Sequence, residues 1–169
     1  MTKALQTPVS RSDWAVLTKP LVGLPVSLAW RGYGSAVFLE LGRLRRVKEL
    51  LNRQAPRRPA RPQGIATVMI EWSWRVERAR SIEVGSFSSE RRIDAGIARL
   101  AGPAIEQIQV VGRLPELAIQ LSDGRWVHSF MTADGQPSWT VFLQDGSWLN
   151  VGRGQLVHDR QNMRTQRRR

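Results

Sequence analysis

The chain predicts an α+β fold, mainly antiparallel β-sheet with two or three short helices, and three observations carry that expectation. Across Ile65–Val76 the residues alternate. Val68, Ile70, Trp72, Trp74 and Val76 share one face, while Glu71, Ser73, Arg75 and Glu77 share the other, the period-2 pattern of a half-buried strand. Three Asp-Gly pairs, Asp123-Gly124, Asp134-Gly135 and Asp145-Gly146, fall between apolar or aromatic runs. Asp-Gly supplies the positive φ angles that tight hairpins require. Helical periodicity is confined to a few short stretches.

In chain order, Ser10-Arg11-Ser12-Asp13 fits a capping box before a helix over Trp14–Thr18, and Pro20 limits that helix to about two turns. The segment Trp30-Arg31-Gly32-Tyr33-Gly34-Ser35 sets two glycines beside aromatic and basic residues. It lacks the third glycine and the strand-to-helix setting of a dinucleotide site, so it reads as a turn joining two strands. Leu44, Val47 and Leu51 stand at i, i+3 and i+7 and predict a helix over about 42–54, with Arg45, Arg46 and Arg53 opposite its narrow apolar stripe. The following Ala55–Pro62, which contains Arg57, Arg58 and Arg61, is too proline-rich for helix or ladder and is expected as an extended, mobile basic loop. Ser88 and Ser89 precede a second capped helix over Arg91–Leu100. The Asp-Gly pairs then join Glu116–Leu121, Trp126–Thr132, Ser138–Leu143 and Ser147–Val151 into an expected antiparallel meander.

The two halves of the chain resemble each other. Leu21-x-Gly23-x-x-Val26 recurs as Leu100-x-Gly102-x-x-Ile105, and Val37-x-Leu39-x-Leu41 as Leu117-x-Ile119-x-Leu121. Trp74-x-Val76 with Ile82-x-Val84-Gly85 is echoed by Trp139-x-Val141 with Leu149-x-Val151-Gly152. A duplication would give two helix-plus-β units packed on each other, with 43–64 inserted in the first. Apolar alternation also matches itself in any β protein, so both readings stand. The expected organisation is a single β-rich domain over 1–157, a basic helix-loop insertion at 43–64 and a disordered basic tail at 158–169.

The formal net charge of +12 sits in two segments. Residues 43–64 carry eight basic side chains against Glu49, and 152–169 carry six against Asp159, leaving twelve basic and twelve acidic residues elsewhere. Thirteen of those fourteen cations are arginine, the exception being Lys48. The planar guanidinium donates two parallel hydrogen bonds to phosphate, so the bias favours phosphate contact over simple solvation. The expected reading is a non-enzymatic protein that grips a nucleic-acid backbone, RNA or DNA, through Arg45, Arg46, Arg53, Arg57, Arg58 and Arg61 of the insertion and Arg164, Arg167, Arg168 and Arg169 of the tail. The alternative is a protein-binding module, an immunity-type inhibitor or a subunit of a larger bacterial assembly, that uses the neutral body or docks its basic arms on an acidic partner.

Other function classes find little support. The absence of cysteine excludes disulfides, thiolate zinc sites and Cys nucleophiles. The two histidines, His128 and His158, have no metal-ligand spacing, and no cofactor or metal is expected. Glu71, Glu77, Glu83, Asp94 and Glu106 show no spacing that selects a catalytic pair. No apolar run approaches the roughly 20 residues of a membrane span, and Met1–Ser10 lacks a signal-like apolar core, so a soluble cytoplasmic protein is expected. Trp126, His128 and Phe130 share a strand face and read either as core or as an exposed row for stacking bases. Trp72 and Trp74 read as core because their face also carries Val68, Ile70 and Val76.

The stretch from Leu100-x-Gly102 through Trp139-x-Val141 and Asp145-Gly146-x-Trp148 resembles uncharacterised small β-rich bacterial domains. The resemblance lies in a rhythm of Trp, Gly and Asp-Gly and leaves the insertion and tail unmatched. It implies a compact domain and carries over no functional residue.

Overall fold

Alternation sends one face of each strand into a shared interior, and the strands assemble into two antiparallel sheets around it. The computed structural model describes residues 5–46, 61–132 and 138–160. In chain order the elements are β1 (Leu5–Pro8), α1 (Arg11–Thr18), a 3-10 turn (Lys19–Leu21), β2 (Val26–Arg31), β3 (Val37–Leu41), β4 (Ala66–Ile70), β5 (Trp74–Arg78), β6 (Ser81–Gly85) and α2 (Glu90–Ala98). There follow β7 (Ile105–Val111), β8 (Glu116–Leu121), β9 (Trp126–Ser129), β10 (Trp139–Phe142), β11 (Trp148–Gly152) and β12 (Gln155–Arg160). Seven strands form one sheet in the order β1-β12-β11-β10-β4-β3-β2, and five form the other, β6-β5-β9-β8-β7.

The helices pack against the sheets' flanking strands, α1 on β7 and α2 on β2 and β6. In α1 the Ser10 hydroxyl accepts from the Asp13 amide at 3.1 Å and the Asp13 carboxylate accepts from the Ser10 amide at 3.2 Å, which completes the capping box. Pro20 falls in the 3-10 turn that ends the helix. Trp14 is buried edge-on to Trp139, with ring centroids 5.5 Å apart. In α2, Ile93, Gly96 and Ile97 face inward. A Cβ added at Gly96 would stand 2.5 Å from Val84 Cγ1, so the missing side chain sets how closely α2 approaches β6.

Five expectations need correction. Ile65–Val76 is not one strand: β4 belongs to the seven-stranded sheet and β5 to the five-stranded one. Glu71–Ser73 carries the chain across, with the Ser73 amide donating to the Glu71 carbonyl at 2.8 Å. That bend turns Trp72 outward at φ +60 and 66% exposed, so Trp72 is not core, whereas Trp74 is fully buried. The meander is likewise two hairpins in different sheets, β8–β9 and β10–β11. Gly124 and Gly146 do take the positive φ of their turns, +83 and +79. Asp134-Gly135 lies outside the described residues.

The helix expected over 42–54 does not begin at 42–46. There the Arg45 and Gln63 amides and carbonyls exchange hydrogen bonds of 2.7 and 2.9 Å, an antiparallel bridge that prolongs the β3–β4 ladder. Ladder hydrogen bonds outweigh a three-residue apolar stripe, and Leu44 is left exposed. The remainder of that expected helix, with Arg53, lies outside the described residues. Finally, β12 runs to Arg160 and pairs with β1, so residues 158–160 belong to the sheet and not to the tail.

The two Leu-x-Gly segments meet. The Gly23 amide donates to Ile105 O and the Gly102 amide to Val26 O, both at 2.8 Å. The Val26 amide donates to Pro103 O at 2.9 Å and the Ile105 amide to Leu24 O at 2.8 Å. Trp74 and Trp139 each donate their indole N–H just ahead of a strand, Trp74 to Ser35 O at 2.6 Å and Trp139 to Pro115 O at 2.9 Å.

Candidate nucleic-acid interface

On the outer face of the seven-stranded sheet the register aligns two cross-strand rows, Trp30–Phe38–Met69–Thr140 and Leu28–Glu40–Thr67–Phe142. These residues alternate with the core positions Val37, Leu39, Leu41, Val68 and Ile70, which is why they point away from the interior. Trp30 and Phe38 stack with centroids 3.9 Å apart and planes 6° off parallel. The Arg61 guanidinium lies over the Trp30 ring, 4.7 Å from its centroid.

Glu40 fixes this surface from beneath. Its Oε1 accepts the Trp30 indole N–H at 3.1 Å, and its Oε2 accepts from the Gly64 amide at 2.9 Å and the Thr67 hydroxyl at 2.6 Å. The buried carboxylate therefore locks the indole and the first residues of the returning chain together. A groove of about 660 Å³ runs over this floor, with Arg45, Arg46 and Gln63 on one side and Phe142, Gln144 and Gly146 on the other. On the Arg61 side of Trp30 lies a second recess of about 380 Å³, closed by Ala98 of α2 and edged by Arg31 and Asp94. Those two pair through Arg31 Nε and Asp94 Oδ1 at 2.8 Å.

Of the sequence-predicted site residues, Arg45 and Arg46 line the groove and Arg61 caps the Trp30 stack. Arg45 and Arg46 do so from an extended bridge and not from a helix face. Arg53, Arg57, Arg58, Arg164, Arg167, Arg168 and Arg169 lie outside the described residues. Arg160, the last residue of β12, acts on Asp145, the neighbour of Gly146 in the groove wall. Hydrogen bonds from the Ser147 side chain and amide hold the Asp145 carboxyl below its ordinary value, and Arg160 and His158 add to that. Of the floor residues, Trp30 read in the sequence as the start of a turn between two strands, and Phe38 and Met69 went unnoticed within strand alternation. The available signal was Glu40, a carboxylate set among the apolar positions of a strand two residues from Phe38.

The row Trp126–His128 lies on the outer face of the five-stranded sheet, half-buried, with its rings stacked at 5.6 Å. Phe130 is also half-buried, and the Arg75 guanidinium lies 5.4 Å from its ring centroid. Arg75 is ion-paired to Glu77, which stands 3.5 Å from His128 Nε2. Burial holds the His128 imidazole below its ordinary value, opposed by Glu77 and reinforced by Arg75.

One hydroxyl–imidazole pair invites a chemical reading. The Ser147 hydroxyl donates to Asp145 at 2.5 Å and stands 2.8 Å from His158 Nε2. An ionised carboxylate only accepts, so the serine proton points at Asp145 and the histidine must donate. Activating a serine nucleophile needs the opposite polarity, with histidine accepting that proton. Among the described residues, no three His, Asp or Glu side chains gather as a metal site requires, and no helix is long and apolar enough to cross a membrane. Comparison with family models, with curated proteins and with solved structures returns no match.

Proposed function

We propose that this chain is a non-enzymatic binding protein that holds a nucleic acid, RNA or DNA, by its phosphate backbone through the Arg-rich insertion and the C-terminal basic segment. The observation that carries the reading is convergence. Arg45 and Arg46 line the groove and Arg61 caps the Trp30 ring that forms part of its floor, so both ends of the insertion meet on one sheet face. Arg160, at the end of β12, acts on Asp145, the neighbour of Gly146 in the groove wall. Cations gathered around a concavity attract a polyanion more strongly than the same charges scattered. The test is fluorescence-anisotropy titration with labelled single- and double-stranded RNA and DNA across salt, using the full chain and a variant ending at Arg160. Sub-micromolar binding at physiological salt, with a steep salt slope that falls in the truncation, supports the reading. Binding that vanishes at physiological salt overturns it.

The protein-binding alternative gains from a different region. Tyr33 is fully exposed, Phe87 nearly so and Trp72 two-thirds exposed, and all three stand on loops joined by hydrogen bonds. The Ser35 hydroxyl donates to Trp72 O at 3.1 Å, and the Trp74 amide donates to the Ser86 hydroxyl at 3.2 Å. Exposed aromatics of this kind anchor protein interfaces. Alanine at Tyr33 and Phe87 leaves salt-dependent nucleic-acid binding unchanged if the groove is the functional surface.

Two pseudo-equivalent halves are part of the same proposal. Exchanging β2, β3, β4, β5 and β6 with β7, β8, β9, β10 and β11 converts the strand order β11-β10-β4-β3-β2 into β6-β5-β9-β8-β7. The reciprocal bonds of the Leu-x-Gly segments and the matched indole bonds of Trp74 and Trp139 support the reading. Both first hairpins also break register at matching points, Val26/Leu28 and Ile105/Gln107. On this reading the insertion equipped one half to bind.

A further inference from the structure

We infer that the recess on the Arg61 side of Trp30 is a nucleobase site, so that the protein selects single-stranded over duplex nucleic acid; this rests on the nucleic-acid reading above. Arg61, Trp30 and Phe38 already form a three-layer stack, and only its outermost member is an exposed, flexible side chain. A base that takes the place of the guanidinium on Trp30 exchanges one planar partner for another. The displaced cation is then available to the adjoining phosphate.

The platform is rigid before any ligand arrives, because Glu40 grips the indole N–H and Phe38 backs its other face. Preorganisation of this kind lowers the ordering cost of binding. The recess has the volume of a small-molecule pocket, about 380 Å³. Its edge offers hydrogen-bonding groups of both kinds, the Arg31 donors and the Asp94 carboxylate acceptors. A base edge therefore meets polar partners while its faces meet Trp30 and α2. Bases inside a duplex are stacked on each other and cannot enter, so a duplex is left with the rim arginines alone.

The experiment measures anisotropy of labelled 12-nucleotide single-stranded oligouridine and oligothymidine, and of a 12-base-pair duplex, against wild type, Trp30→Leu and Ala98→Leu. Losing one base–aromatic stack predicts a roughly 5- to 150-fold weaker single-strand affinity for Trp30→Leu, with a much smaller loss on the duplex. Ala98→Leu, at the end of an exposed helix face, fills the recess without altering charge and has the same expected effect. It decides the matter should Trp30→Leu unfold. Equal losses on both ligands, or none on the single strand, overturn the base site and leave the phosphate reading standing. Failure of the wild type to bind any of the three ligands overturns both.

Discussion

On the proposed reading of two equivalent halves, the outer faces of the two sheets correspond position by position, and they carry opposite surfaces. On the seven-stranded sheet the two rows hold Trp30, Phe38, Met69 and Thr140, then Leu28, Glu40, Thr67 and Phe142. The positions that correspond on the five-stranded sheet hold Gln109, Ala118, His128 and Arg75, then Gln107, Gln120, Trp126 and Glu77. One face is apolar, concave and rimmed by arginines. The other is polar, and its Arg75 is paired with Glu77. Under that proposal one scaffold would serve both halves and leave the outward-facing residues free to differ, since the fold depends on the inward ones.

The interiors should then respond alike. Trp74→Ala and Trp139→Ala are each expected to lower stability by about 3–5 kcal/mol in urea denaturation, because both remove a fully buried indole. Costs differing by more than about 2 kcal/mol would break the proposed equivalence of the two halves. The outer faces should respond differently. Replacing Arg45, Arg46 and Arg61 by alanine is expected to flatten the salt dependence of nucleic-acid binding by about 2–3 in log–log slope, whereas Arg75→Ala leaves it unchanged. A comparable loss from Arg75→Ala would erase the contrast.

Much of the fold was legible. Asp-Gly pairs, the Ser10 capping box and the repeated Leu-x-Gly marked elements whose local chemistry admits few alternatives. The change of sheet was not, because Glu71–Ser73 bends the chain without altering its parity. Val68 and Ile70 before the bend, and Trp74 and Val76 after it, all point inward. Alternation reports inside against outside and says nothing of which sheet supplies the neighbours. The site was half legible for a similar reason. Charge density exposed Arg45, Arg46 and Arg61, but Trp30 and Phe38 are adjacent only through the pairing of β2 with β3.

Three smaller effects sharpen the comparison. Gly96→Ala is expected to cost about 1–3 kcal/mol through collision with Val84, in a helix whose approach to its sheet leaves no room. An unchanged melting transition would show that α2 tolerates a shift. Trp72→Gly is expected to stabilise by up to about 1 kcal/mol, since glycine takes the left-handed conformation without strain, and a loss of stability would reveal a supporting role for the exposed indole. The smallest effect is at His128. Its folded pKa is depressed, so its contribution to stability is present above the unfolded imidazole value and is lost as pH falls through the folded one. Acidification below about pH 6.5 should destabilise the wild type more than His128→Gln. Parallel pH profiles would sink that assignment.

The pairing of β1 with β12 also bears on how the protein is made. Leu5–Pro8 is the first described strand, and its neighbour is the last, Gln155–Arg160. During synthesis the early segment must therefore wait while some 150 residues are added, roughly ten to thirty seconds at ordinary elongation rates. β4 likewise lacks its neighbour β10 until late. The seven-stranded sheet therefore cannot close on the ribosome before β12 emerges, whereas the five-stranded sheet has all its strands once Ser129 is out.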